Sequence, residues 1–189
     1  MKAYRIVVAD SSESSREKIC NMLNRKGCKT FQATDGAGAI RISRSAKPDL
    51  VILDTNLWGM NAYEVAGIIE GDRLSTVVFA TNRPDSDLYG YLKRMTLYAY
   101  ILKPFNQEQV YQIVEFAIMN SNRIHSLSDK IQNLEQTLES RKKIDKAKGL
   151  IMEEFSLNEN EAYQYLRKKS MDLSIPMDKM AENIIKAYR

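Results

Sequence analysis

Residues 50–54 read LVILD: four aliphatic side chains in a row, then an acid. Such a run lacks the alternation of a half-exposed strand and fits one covered on both faces, as in a parallel sheet. YRIVVAD (residues 4–10) carries the same signature upstream, and shorter runs over 29–33, 76–81 and 98–102 extend it. Between them lie helical patterns. Ile19, Met22 and Leu23 share one face of a helix predicted over 11–24, which Gly27 closes. Further helices are predicted over 35–46, ahead of Pro48, and over 63–69 and 85–95. Five strands alternating with helices specify an α/β sheet, whose ligands gather beyond the carboxyl ends of the strands.

A chain of 189 residues holds one domain of about 120 residues and a smaller second unit. The composition, 44% hydrophobic and 28% charged, is that of a globular protein, and no apolar run approaches the roughly 18 residues of a membrane span. MKAYRIVVAD turns acidic before a signal-peptide core can form, so a cytoplasmic protein with no membrane partner is expected. Cys20, Cys28 and the single His125 fit no zinc spacing, and both cysteines read as buried or neutral thiols. The net charge of +4 is shared evenly, +2 on residues 1–120 and +2 on 121–189, and so locates no polyanion-binding face.

The strand ends carry Asp10, Asp54, Thr81 and Lys103. Any one of them would pass as an ordinary polar strand end, but the set suits a divalent cation and a phosphoryl group. VILDTNLWGMNAYEV (51–65), with VVAD (7–10), FATN (79–82) and YILKPF (100–105), resembles the receiver domain of two-component response regulators over residues 4 to about 120. The resemblance implies a flavodoxin-like (βα)5 fold. It makes Asp54 the phospho-acceptor and nucleophile, and Asp10, Asp54 and the Asn56 carbonyl the holders of Mg2+. Thr81 would hydrogen-bond the phosphoryl oxygen and Lys103 neutralise it. Tyr100 matches the aromatic that changes rotamer with Thr81, Pro104 the peptide that receivers hold in cis, and a sensor histidine kinase would be the partner.

There are departures. Receivers carry two adjacent acids after the first strand, and here the second is Ser11. A neutral hydroxyl is a poorer Mg2+ ligand than a carboxylate, so weaker cation binding is expected. Trp58 replaces the usual proline and Ala62 a common glycine. A degenerate receiver serving as a dimerisation or protein-interaction scaffold is the competing expectation.

From Phe105 to Lys148 no proline or glycine interrupts the chain, and Ile113, Ala117, Asn120, Ile124, Leu127, Ile131, Leu134 and Leu138 recur at alternating steps of four and three. That is a heptad seam. One helix of about 44 residues would be about 65 Å long, and a homodimer through a two-stranded coiled coil is expected. Asn120 in the seam would set its register. A polar linker with fortuitous leucines is the alternative. His125 reads as a solvated residue, because SLSDK after it lacks the acid-arginine-proline pattern of a phospho-accepting histidine helix. With no nucleophile and base in view, an enzyme is not expected.

Arg141, Lys142, Lys143, Lys146 and Lys148 face a single acid, Asp145, over residues 141–148. Ile144, Ala147, Ile151 and Phe155 share one helical face there, and a solvated charge run is the plain alternative. Asn158 to Glu161 reads as a capping box before a helix carrying Ala162, Leu166 and Met171, and Ser174 and Pro176 open a third helix with Met180, Ile184 and Ile185. The stretch 135–189 resembles the ANTAR domain, the RNA-binding output module of transcription antitermination regulators. The match runs through Arg141, Ile144, Ala147-Lys148-Gly149-Leu150, Met152, Glu161-Ala162-Tyr163, Leu166-Arg167, Met171 and Met180-Ala181, with Ser170 where the family often has alanine.

That resemblance implies a dimer binding paired hairpins in an mRNA leader. Arg141, Lys142, Lys146, Lys148, Arg167 and Tyr163 are the expected RNA contacts, Tyr163 suiting the core as well as a stacked base. Gly149 is expected to permit close helix approach. The expected layout is a receiver over 1–120, a coiled-coil linker over 121–140 and an all-α three-helix ANTAR domain over 141–189. A DNA-binding regulator is the rival, disfavoured because the cations lie on the first of the three helices, and no DNA partner is expected.

Overall fold

A computed structural model describes residues 3–95 and 99–188, with His125 in its backbone alone. The chain divides into two compact units, Met1–His125 and Ser126–Arg189. The first is built on five parallel strands, β1 (Arg5–Ala9), β2 (Lys29–Ala33), β3 (Leu50–Asp54), β4 (Thr76–Thr81) and β5 (Tyr100–Leu102), in the order β2-β1-β3-β4-β5. Around them run α1 (Glu13–Arg25), α2 (Gly36–Ala46), α3 (Ala62–Gly71), α4 (Ser86–Leu92) and the first turns of α5 (Gln107–Phe155). The continuous apolar runs are explained by burial on both faces. Ile6, Val8 and Ile52 meet Ile19 and Leu23 of α1 and Val110 and Val114 of α5, whereas Val7, Leu53 and Phe79 meet Ala39 of α2 and Val65 and Ile69 of α3.

Each crossover helix starts on a side chain that accepts from its first turn: Ser12 from Ser15 N–H, Asp35 from Gly38 N–H, Asn61 from Tyr63 N–H and Asp85 from Leu88 N–H. These caps pin the loops at the carboxyl edge of the sheet, where the site lies. Gly36 is required by packing, since a Cβ there would stand 2.7 Å from Val65 Cγ2. The last strand starts at Tyr100; the predicted start at Tyr98 lies outside the described residues.

The long helix departs from its expected limits. It starts at Gln107, where the Asn106 side chain accepts from Glu108 N–H and Gln109 N–H, and it runs through Gly149 to Phe155. Two expected seam residues are spent on the first unit: Ala117 is fully buried in its core and Ile113 packs against it. Asn120 donates to the Phe116 carbonyl of its own helix. The open seam is Leu127, Ile131, Leu134 and Leu138, each half or more exposed.

In the second unit the end of α5 joins α6 (Glu159–Asp172) and α7 (Met177–Ala187) around Ala147, Ile151, Ala162, Leu166, Ala181 and Ile184. The capping box forms, Asn158 and Glu161 exchanging hydrogen bonds. Ser170, and not Met171, continues the buried stripe of Ala162 and Leu166; its hydroxyl donates to the Ile175 carbonyl, and Met171 is exposed. Phe155 is likewise exposed although it extends the face of Ile151. Nothing lies within 4 Å of where a Gly149 Cβ would stand, so that glycine serves no close approach. Among the described residues no helix is long and apolar enough to cross a membrane.

Candidate functional site

Asp10 follows β1 and Asp54 ends β3, so two adjacent parallel strands deliver two carboxylates to one edge. The Lys103 main-chain N–H donates to the Thr81 carbonyl at 2.8 Å, which brings its side chain to the same edge ahead of a cis peptide to Pro104. Lys103 Nζ then donates to Asp10 Oδ2 at 2.7 Å and to Asp54 Oδ2 at 2.9 Å. All three side chains are nearly buried.

The remaining partners of the two acids differ. Asp10 Oδ2 also accepts from the Ser15 hydroxyl, Asp10 Oδ1 accepts from Ser12 N–H at 2.8 Å, and buried Arg16 donates to the Asp10 carbonyl. Asp54 Oδ1 has one long bond, from Asn56 N–H at 3.4 Å. Burial pushes both carboxyls up. For Asp10 the Lys103, Ser15 and Ser12 hydrogen bonds outweigh burial and hold it below its ordinary value. For Asp54 burial prevails over the Lys103 bond, with the charge of Asp10 adding to it, and the carboxyl sits above its ordinary value.

A cleft of about 360 Å³ opens on Asp54, lined by Ser15, Asn56, Trp58, Asn82 and Lys103 among others, with Trp58 72% exposed. Ser11 lines it but is committed elsewhere: its hydroxyl donates to the Thr34 carbonyl at 3.1 Å and accepts from Trp58 N–H at 2.9 Å, tying two loops together. Thr81 stands at the same edge with its hydroxyl turned to Arg83, donating to the carbonyl and accepting from the N–H. The Tyr100 hydroxyl lies 3.2 Å from that of Tyr89. The structure therefore brings Asp10, Asp54, Lys103 and Asn56 together and sets Thr81 at the same edge, whereas Tyr100 meets Tyr89 of α4. Ser15 was missed from sequence. The signal was available, since it falls five residues after Asp10 on the first turn of α1, within the serine-rich run SSESS.

In the second unit Arg141, Lys142, Lys146 and Arg167 are exposed and make no ion pair among the described residues. Tyr163 is exposed on α6. Lys148 differs: its Nζ lies 2.8 Å from both Asp145 and Glu159, and its side chain is only 15% exposed. Lys143 pairs with Glu182 and joins α5 to α7.

Residues 6–115 match the response regulator receiver domain, and residues 132–185 match the ANTAR domain. The chain belongs to the response regulator receiver family. Its receiver is joined to a C-terminal ANTAR domain, which makes it a response regulator with an RNA-binding antiterminator output, and neither domain belongs to an enzyme family. It is similar to the transcriptional regulatory protein PdtaR of Mycobacterium tuberculosis, 27% identical over 182 residues, covering 96% of this chain and 89% of that one. It is also similar to the DNA-binding response regulator MtrA of Mycolicibacterium paratuberculosis, 31% identical over 106 residues, 56% of this chain and 47% of that protein. Among solved structures, the chemotaxis response regulator CheY4 of Vibrio cholerae superposes with a TM-score of 0.57 at 20% identity, covering 61% of this chain and 99% of that one. NtrX of Brucella abortus does so with 0.61 at 24%, covering 68% of this chain and 29% of that one. Both show the flavodoxin-like fold.

Receivers typically use Mg2+ in phosphorylation. The residues here fit the ion, because one cation, the Lys103 ammonium, already touches both carboxylates. Mg2+ is held in many sites by one or two carboxylates and its own waters. Asp10, Asp54 and the Asn56 carbonyl would supply the protein ligands, with water where other receivers have a second acid. When bound, the ion would offset negative charge on the phosphoryl oxygens. Among the described residues no group of three or more His, Cys, Asp or Glu side chains converges.

Proposed function

We propose that this chain is a cytoplasmic transcription antiterminator in which phosphoryl acceptance at Asp54 from a sensor histidine kinase governs pairing of two copies and their capture of paired mRNA-leader hairpins. Asp54 Oδ1 is the less engaged carboxylate oxygen and is the nucleophile, forming an acyl phosphate as the donor's bond to phosphorus breaks. Lys103, released in part from the acid pair, neutralises the incoming oxygens. Thr81 and Tyr100 reorient with it. Leu127, Ile131, Leu134 and Leu138 form the dimer seam.

Arg141, Lys142, Lys146 and Arg167 meet the RNA backbone, Tyr163 offers a ring to a loop base, and Lys148 joins them only by leaving Asp145 and Glu159. The proposed limits remain a receiver over 1–120, a linker over 121–140 and an RNA-binding domain over 141–189. The observation that carries this reading is the pairing, within one chain, of a Lys103-bridged acid pair with a small helical unit bearing exposed cations that make no ion pair among the described residues.

Duplex DNA is the rival ligand, since one relative is named as DNA-binding, but that likeness spans 56% of the chain, whereas the likeness to PdtaR spans 96%. The unpaired cations lie mainly on α5, ahead of the two later helices from which a helix-turn-helix protein would draw its recognition helix. Titration with a two-hairpin RNA and with duplex DNA at matched salt tests the proposal. Tighter binding of the RNA is expected, and preference for the duplex would overturn it.

A further inference from the structure

The core of the second unit is wholly aliphatic, and its aromatic residues lie at the rim. Phe155 ends α5 and is 43% exposed; Tyr188 follows α7 and is 42% exposed; Tyr165 of α6 is partly buried against the core. The Phe155 ring lies 5.3 Å from that of Tyr165, tilted by 35°, and 6.4 Å from that of Tyr188 at 79°. Three helices, distant in sequence, thus gather three rings at one place on the surface. If these rings served the core alone, the usual outcome would be deeper burial, because a half-wet aromatic ring forfeits much of its transfer free energy.

Charge distinguishes this cluster from a simple apolar patch. Lys169 Nζ lies 5.7 Å from the Tyr165 centroid, over its face. Lys169 is exposed and makes no ion pair among the described residues, with Glu153 and Glu154 of the preceding helix included. An open aromatic surface edged by an ammonium that has no ion pair among the described residues suits a ligand that joins a flat π-face to a nearby negative charge. An unpaired nucleotide is such a ligand.

We propose that Phe155, Tyr165 and Tyr188, with Lys169 at their edge, form a stacking platform for an unpaired base of the hairpin loop. This rests on the RNA reading above and adds a contact separate from the cations Arg141, Lys142 and Lys146. Tyr163 is not part of it: two positions before Tyr165 on the same helix, it points to the opposite flank. The platform reads the loop, and the cations hold the backbone.

The test uses the full-length protein and hairpin RNAs with short randomised loops, or with the same loops made abasic, across a salt series. Phe155→Leu and Tyr188→Leu keep apolar volume and remove the ring. Each is expected to weaken binding to intact loops by about 10- to 100-fold, with the slope of affinity against salt unchanged. Lys142→Ala should instead reduce that slope by about one. On abasic loops, wild type and the leucine variants should bind alike. Phe155→Tyr, which keeps a ring, should restore binding if Phe155→Leu melts early. Folded leucine variants that bind intact loops as tightly as wild type, or that lose equally on abasic loops, would overturn the platform. If wild type binds no hairpin at all, the RNA reading itself fails, and the platform with it.

Discussion

Lys103 holds Asp10 and Asp54 in one ion-paired cluster, and the two acids respond differently to it. A carboxyl whose value is raised by folding disfavours the fold once the pH exceeds its unfolded value, and burial puts Asp54 in that position. Asp54→Asn is therefore expected to raise the Tm at neutral pH. Lys103→Met should lower stability by about 3–5 kcal/mol, because it strands two buried carboxylates; paired denaturation curves check both. Glu182 shows the opposite sign. The Lys143 hydrogen bond holds its carboxyl below the ordinary value, so the stabilisation is present above that value and lost as the pH falls through the lowered one. Protection of α7 amides against hydrogen exchange should fall on that acidification, and Glu182→Gln should flatten the response.

At the scale of elements, α5 carries the largest claim. Its open seam of Leu127, Ile131, Leu134 and Leu138 leaves four large aliphatic side chains in water. Leu134→Glu should abolish pairing in sedimentation while leaving the circular dichroism of the monomer unchanged, since the side chain contributes nothing to the described core. The strands were legible because a buried parallel strand has no polar positions to disguise it, and LVILD and TVVFAT end where the sequence says they do. The limits of α5 were not. The stretch free of proline and glycine closes at Lys148, but the helix cost of Gly149, about 1 kcal/mol, is outweighed by the burial of Ala147 and Ile151 on either side. Periodicity alone also could not say that Ala117 belongs to the sheet's core, because core and coiled-coil faces share the same spacing. The pairing of Lys148 with Glu159 escaped for a similar reason: the partner lies 11 residues away, across a helix corner.

For the whole molecule, the Asp10–Asp54 edge of the receiver and the cations of the ANTAR unit sit on separate compact units of one chain. On the proposed function, pairing of two copies would turn capture of the second hairpin into an intramolecular event, so that a modest change in dimerisation would be amplified at the RNA. The acid pair was legible from its strand ends, whereas the diversion of Ser11 into a loop tie was not, because its partners Thr34 and Trp58 meet only in the fold. The direct measurement is the affinity for a two-hairpin RNA before and after treatment with a small phosphodonor and Mg2+, with Asp54 occupancy read by intact mass and Asp54→Ala as control. Tightening of about a hundredfold or more, absent for a single hairpin and absent in the control, is the expected result. Unchanged affinity with Asp54 fully phosphorylated would contradict the account.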